Sequence, residues 1–224
     1  MGRSFQNLLS SAFTIVRILI VDCAVPLLFI LIVTAVAQTI GVLMGIALSG
    51  EKLDTIVKAR AAYFTTGVVA YSAILAACLI RLQPIKQSFR SSRSMIVAVS
   101  IGLFLLVVNL AAQHGKPNAG LELSISAALM ILDICLLTPV AEELFWRGYL
   151  WARLQARGRS DGLITICTAI LFVAVHLPGD IPSFVNYALM GLSFSLIRYF
   201  SGGIGLPIFF HAAMNFIVIR HIGV

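Results

Sequence analysis

The chain has 224 residues, of which 60% are hydrophobic and 11% charged, and its mean hydropathy is +1.01. These values exclude an ordinary water-soluble domain and are typical of an integral membrane protein. The net charge of +7 does not indicate nucleic-acid binding, because the 16 Lys and Arg residues are dispersed among apolar segments. Four single cysteines without CxxC spacing predict buried packing residues rather than a disulfide framework.

Apolar segments long enough to span a membrane follow one another along the chain. Residues 1–120 form the predicted N-terminal part, with three helices at about 18–45, 62–80 and 94–112. Residues 121–224 form the predicted C-terminal part, with four helices at about 121–155, 163–176, 183–200 and 205–221. We therefore predict an all-α, polytopic transmembrane bundle of about seven spans.

The distribution of basic residues predicts the orientation of this bundle. With seven spans, ten Lys and Arg residues fall on the side of the N-terminus and five on the other: Arg3, Arg17, Arg81, Lys86, Arg90, Arg93, Arg153, Arg157, Arg159 and Arg198 against Lys52, Lys58, Arg60, Lys116 and Arg220. The positive-inside rule then places the N-terminus in the cytoplasm, with the protein in the cell membrane. The first apolar segment is too long for a signal-peptide core, and we expect it to remain as an anchor.

Ionisable side chains cluster in the predicted helix 121–155. An ionisable group in hydrocarbon costs several kcal/mol, so function is the default hypothesis for each one. Glu143 and Arg147 have the i,i+4 spacing at which opposite charges meet on a helix, whereas Glu142 lies about 100° away around the helix. This pattern predicts a structural pair, Glu143 with Arg147, and a second carboxylate available as a base. Pro139, in the same helix, predicts a kink and a freed backbone carbonyl.

Two later segments are predicted to reach the same depth as these carboxylates. Glu142 and His176 are each 17 residues from Arg159, so two antiparallel helices bring them level. His211 and Asn215 share a face of the last helix by i,i+4 spacing. Asp22 and Asp133 also lie inside predicted spans, where we expect contacts within the bundle.

A carboxylate, two histidines and an asparagine in a pocket that water can reach suit hydrolysis of a peptide bond. Glu142 would be the general base and His176 would hold the water, while His211 and Asn215 would donate hydrogen bonds to the oxyanion. The other chemical option is a zinc site with Glu142, His176 and His211 as ligands. The spacing of these residues does not choose between the two options.

These residues resemble three motifs of the CPBP family of intramembrane endopeptidases, which includes type II CAAX prenyl endopeptidases and bacteriocin-processing, Abi-type proteins. The motifs EExxxR, FxxxH and HxxxN are present as Glu142-Glu143…Arg147, Phe172…His176 and His211…Asn215. The resemblance covers residues 121–224 and implies a helical fold with a cytosol-facing catalytic cavity. It also implies that Glu142 activates water, that Glu143 and Arg147 support it, and that the histidines and Asn215 bind water or the oxyanion.

The resemblance favours a glutamate mechanism without a metal cofactor over a zinc metalloprotease. Its expected substrate is a lipidated or membrane-embedded protein or peptide, and Trp146 and Phe172 are predicted to contact it. Two other function classes stay open at this point. One is a catalytically silent scaffold or immunity protein of the same fold, and the other is a proton-coupled transporter.

Overall fold

The computed structural model describes residues 12–24, 94–115 and 131–222, together with single helical positions between residues 28 and 43. Within these ranges the regular structure is entirely helical, which confirms the all-α prediction for this part of the chain. The predicted helix 62–80 and the beginning of the predicted helix 121–155 lie outside the described residues. The count of seven spans therefore stays a prediction.

Six helices have described ranges. Those at 95–113, 161–176, 181–201 and 205–222 lie close to the predicted positions, whereas the first one begins at residue 12, before the predicted start at about residue 18. Helix α1 covers residues 12–22 and contains the π-helical turn Ile18–Asp22. Helix α3, residues 131–156, is continuous but alternates between π-helical and α-helical turns. The remaining helices are α2 (Met95–Gln113), α4 (Asp161–His176), α5 (Ile181–Ser201) and α6 (Gly205–Ile222).

The ends of α4 and α5 follow from local sequence. The side chain of Ser160 accepts a hydrogen bond from the Leu163 N–H, and that of Asp180 accepts one from the Ser183 N–H at 2.7 Å. Hydrogen bonds from Ser183 also hold the pKa of Asp180 below its usual value. Helix α4 ends at Leu177, a non-glycine residue in the left-handed region with φ of 44°. Backbone strain of this kind is concentrated at functional sites, and Leu177 directly follows His176.

Helices α4 and α5 form an antiparallel pair to which the other helices attach. Helix α2 packs on α5 and α6, while α6 also packs on the first half of α3. The α4–α5 contact is close at Gly191, where a Cβ atom would lie 3.2 Å from the Ala169 carbonyl oxygen and from the Phe172 ring. The absence of a side chain at Gly191 therefore allows the two helices to approach each other.

Helix α2 presents a largely apolar surface to its surroundings. Its mean hydropathy is 2.6, and it is the described helix that is long and apolar enough to cross a membrane. Helix α4 and residues Gly205–Arg220 of α6 are also apolar but shorter. The exposed side chains of α2 include Ile96 at 81% and Phe104 at 62%, whereas Asn109 is buried. A helix on the surface of a water-soluble protein buries its apolar side chains and exposes its polar ones, which is the reverse of this arrangement.

An acidic side chain connects α1 to the turn between α3 and α4. Asp22 is only 4% exposed, and its carboxylate accepts hydrogen bonds from Arg157 and from Arg159, the latter at 3.0 Å. Arg153 donates to the Asp22 carbonyl oxygen at 3.3 Å. The bundle contact expected for Asp22 is therefore an ion pair with the α3–α4 turn.

Replacing Asp22 with Asn is expected to lower the free energy of unfolding by about 1 kcal/mol, because both arginines remain partly open to water and can be solvated there. Thermal unfolding in detergent measures the change. In an Arg159→Gln background the loss should be smaller, because part of the interaction is already absent. An equal loss in both backgrounds would contradict the ion pair with Arg159.

Candidate active site

A buried ion-pair cluster joins the first and third motifs. Arg147 Nη1 lies 2.9 Å from Glu143 Oε1, and both side chains are completely buried, as the i,i+4 spacing predicted. His211 Nδ1 lies 3.0 Å from the same carboxylate oxygen. Glu143 thus connects helices α3 and α6 through its contact with His211. His211 is 3% exposed, and its ring stacks on Phe194 with a centroid separation of 4.9 Å.

The guanidinium of Arg147 is bound by groups of α5. Arg147 Nη2 donates to the Gly191 carbonyl oxygen at 2.8 Å, and Nε donates to Ser195 Oγ at 3.4 Å. Its central carbon lies 5.0 Å from the Phe172 ring centroid and 5.5 Å from that of Phe194. Hydrogen bonds and cation–π contacts of this kind offset the desolvation of a buried charge. Arg147 therefore has the contacts of a structural ion-pair partner.

Two hydroxyl groups extend this network to α4. Ser195 Oγ accepts the bond from Arg147, donates to the Gly191 carbonyl oxygen at 2.9 Å, and lies 3.0 Å from Thr168 Oγ1. Thr168 Oγ1 also donates to the Ile164 carbonyl oxygen at 2.8 Å. Both hydroxyl-bearing residues are completely buried. The Arg147 site is consequently a network across three helices.

The second motif forms a unit within α4. His176 Nδ1 lies 2.6 Å from the Phe172 carbonyl oxygen, and the two rings are 4.4 Å apart. Because a carbonyl oxygen only accepts, the hydrogen bond requires a proton on Nδ1. In the neutral ring Nε2 is then the unprotonated nitrogen and can accept a hydrogen bond from water. The ring of Tyr187, on α5, stacks on that of His176 with a centroid separation of 4.3 Å.

Phe172 is the residue at which the three motifs touch. Besides His176, its ring contacts the Arg147 guanidinium and lies 6.2 Å from the ring of His211. Trp146 packs edge-on against it at 6.4 Å. Phe172 is completely buried and Trp146 is 3% exposed, so both side chains form part of the bundle interior. Their predicted contact with a substrate stays a prediction.

Asn215 satisfies the backbone carbonyl that Pro139 leaves free. The turn Leu132–Leu137 is π-helical, and the Thr138 N–H bonds to the Asp133 carbonyl five residues earlier. In that register the next donor would be the N–H of residue 139, with Ile134 as acceptor, but proline has no N–H. Asn215 Nδ2 donates to the Ile134 carbonyl oxygen at 2.7 Å. The side chain of Asn215 thus replaces the missing backbone donor.

The two adjacent glutamates differ in their surroundings. Glu143 is completely buried, whereas Glu142 is partly exposed. Glu143 also has the charged partners described above. Glu142 is therefore the more exposed residue of the pair.

The alternative zinc ligands were Glu142, His176 and His211. In the part of the chain that the structure describes, no three His, Cys, Asp or Glu side chains converge as metal ligands do. The Nδ1 atoms of both histidines contact other groups, at the Phe172 carbonyl and at Glu143, which leaves Nε2 as the nitrogen of each ring that could bind a metal. A mechanism without a metal cofactor stays a prediction.

Several residues of the site lie outside the three motifs. Helix α5 contributes Tyr187, Gly191, Phe194 and Ser195, and α4 contributes Thr168. The spacing of residues 187, 191 and 195 is i, i+4, i+8, which places them on one helix face. A row of small and polar residues in an apolar helix was the sequence signal that could have identified them.

One family of known proteins matches this part of the chain. Residues 124–217 match the family model of the Rce1-like type II CAAX prenyl endopeptidases, and that range contains all three motifs. No curated protein and no solved structure matches the chain. The matched family is that of type II CAAX prenyl endopeptidases, and the match covers less than half of the chain. The match at residues 124–217 thus confirms the resemblance that the three motifs indicated, to the type II CAAX prenyl endopeptidases.

Proposed function

We propose that this protein is an intramembrane endopeptidase that cleaves a peptide bond in a lipidated or membrane-bound substrate, with Glu142 as general base. The observation that carries the proposal is the meeting of the three motifs around Phe172 and Glu143. Glu143, Arg147 and His211 share one buried cluster, and Phe172 connects that cluster to His176. Residues of motifs that are far apart in sequence are therefore in contact, which supports a common site.

In the proposed reaction Glu142 removes a proton from a water molecule that His176 Nε2 helps to hold. The water oxygen forms a bond to the scissile carbonyl carbon, and the carbonyl oxygen becomes an oxyanion. His211 in its protonated form donates from Nε2 to that oxyanion, while its Nδ1 remains on Glu143. The C–N bond then breaks, and Glu142 returns the proton to the leaving amine. The buried Glu143–Arg147 pair holds the imidazole of His211 in place.

The same proposal includes the placement of the site in the membrane. The apolar outward surface of α2 and the apolar sequences of α4 and α6 support a bundle surrounded by lipid. Asp22, the last residue of α1, contacts the α3–α4 turn, so the end of α1 and this turn lie at the same end of the bundle. We infer that this end is cytoplasmic, because it carries most of the basic residues. The family acts on membrane-associated prenylated proteins, which suits a site within the bundle.

Replacing Glu142 with Gln tests the base. With purified protein and a pool of prenylated and unprenylated membrane peptides, we expect Glu142→Gln to lower cleavage by about 10²–10⁴-fold, the usual contribution of a general base. Asp161→Asn is the matched control, since it also removes one carboxylate but at the opposite end of α4 from His176. The control should cleave like the wild type.

A strong zinc chelator, added to both proteins, separates the chemical alternatives. Cleavage that survives the chelator and disappears in Glu142→Gln supports the glutamate mechanism. Loss on chelation that added zinc restores would instead make the histidines metal ligands. Binding of a membrane peptide without cleavage would favour a silent scaffold, and proton flux without cleavage a transporter.

A further inference from the structure

We propose that Tyr187 is a positioning residue of this site, whose ring holds the imidazole of His176 in the orientation that leaves Nε2 available to water. Tyr187 belongs to none of the three motifs. The inference rests on the proposed function, because His176 is the residue through which Tyr187 would act. Tyr187 would determine the ring orientation of His176 within that function.

The intrinsic preference of the histidine side-chain torsion does not by itself fix the orientation of the imidazole ring. The second side-chain torsion of histidine is broad and roughly two-fold, so contacts must select one of the two ring positions. In the structure one contact is the 2.6 Å hydrogen bond from His176 Nδ1 to the Phe172 carbonyl. Turning the ring over would exchange Nδ1 with the carbon Cδ2 and Nε2 with the carbon Cε1, so that Nδ1 would no longer meet this oxygen.

Two aromatic rings restrain that motion. The ring of Phe172 lies 4.4 Å from the imidazole with an interplanar angle of 40°, and the ring of Tyr187 lies 4.3 Å away at 29°. Phe172 is on the same helix as His176, whereas Tyr187 comes from α5. The Tyr187 contact therefore adds the restraint that α4 by itself does not supply. Stacked contacts of this kind stabilise a ring pair beyond the contribution of the area that they bury.

The position of His176 makes such a restraint necessary. It is the last residue of α4 and precedes Leu177, whose backbone is left-handed. The end of a helix has fewer neighbouring side chains than its middle, and His176 is only half-buried. Tyr187 lies in the second turn of α5, beyond the short α4–α5 connection, and so reaches the imidazole from the facing helix.

Comparison of Tyr187→Phe with Tyr187→Leu tests the inference. Phenylalanine keeps the aromatic face and removes the hydroxyl, so we expect kcat and KM within about twofold of wild type. Leucine removes the face, and we expect kcat to fall by about 10–100-fold with KM within about threefold, because a misplaced catalytic group slows chemistry more than binding. Tyr199→Leu, at the far end of the same helix, is the matched control and should cleave like the wild type. If Tyr187→Leu does not fold, Tyr187→Met makes the same comparison.

A second measurement needs no substrate. Nitrogen-15 NMR of labelled histidine in detergent distinguishes a proton on Nδ1 from one on Nε2. We expect neutral His176 to carry its proton on Nδ1 in the wild type and in Tyr187→Phe, and both tautomers to appear in Tyr187→Leu. The His176 signals are assigned by their absence in His176→Gln.

The outcomes separate this inference from the proposed function. Unchanged kcat and unchanged tautomer in Tyr187→Leu would overturn the positioning role, and an equal loss of kcat in Tyr187→Phe would transfer it to the hydroxyl group. A wild type that cleaves nothing while the tautomer still changes in Tyr187→Leu would contradict the protease and retain the positioning role.

Discussion

Replacing Arg147 with Met is expected to lower the free energy of unfolding by about 3–5 kcal/mol, the range for breaking a buried ion pair by removing one partner. The reason is that the Glu143 carboxylate would stay completely buried with His211 as its remaining described partner. The Gly191 carbonyl and the Ser195 hydroxyl would also lose a donor. Chemical denaturation in mixed micelles measures the change, and cleavage activity should disappear with it.

Two further variants test whether the unpaired charge of Glu143 causes the loss of stability in Arg147→Met. The double variant Glu143→Gln with Arg147→Met removes both charges, and we expect it to be more stable than Arg147→Met alone. Arg147→Lys retains the charge but cannot donate to both Glu143 and Gly191 in the same planar geometry, so it should lie between the wild type and Arg147→Met. A double variant no more stable than Arg147→Met would contradict this account.

Replacing Asn215 with Leu is expected to lower the free energy of unfolding by about 1–3 kcal/mol, because it leaves the partly buried Ile134 carbonyl without its donor. Pro139→Ala in the same protein restores a backbone N–H in the π-helical register and should recover most of the loss. The four proteins of this double-mutant cycle, compared by thermal unfolding in detergent, give the coupling between the two positions directly.

Asn186→Leu serves as the matched control for the asparagine. Asn186 is exposed on α5, and its described contact is a weak one with Met190 on the same helix, so we expect a change within about 0.5 kcal/mol. If the effects of Asn215→Leu and Pro139→Ala simply add, the amide does not replace the missing N–H.

The helices themselves were predictable to a large extent. Helices α2, α4, α5 and α6 begin and end within a few residues of the expected positions, because apolar run length and the breaks at Gly158, Pro178 and Gly202 are local properties. The π-helical turns of α3 were not predicted. They insert an extra residue into a turn without a distinct sequence pattern, and Pro139 was the one visible indication of irregularity.

The contacts within the site also divide into those that the sequence predicts and those that it does not. The sequence by itself determined the pairs that lie on one helix: Glu143 with Arg147, and Phe172 with His176. Their i,i+4 spacing makes them neighbours in any α-helical arrangement. Only the tertiary structure decided that His211 meets Glu143, that Asn215 meets Ile134, and that Asp22 meets Arg157 and Arg159. These partners are 68 to 137 residues apart, and their pairing depends on how helices rotate and approach one another, which the periodicity of a single helix does not specify.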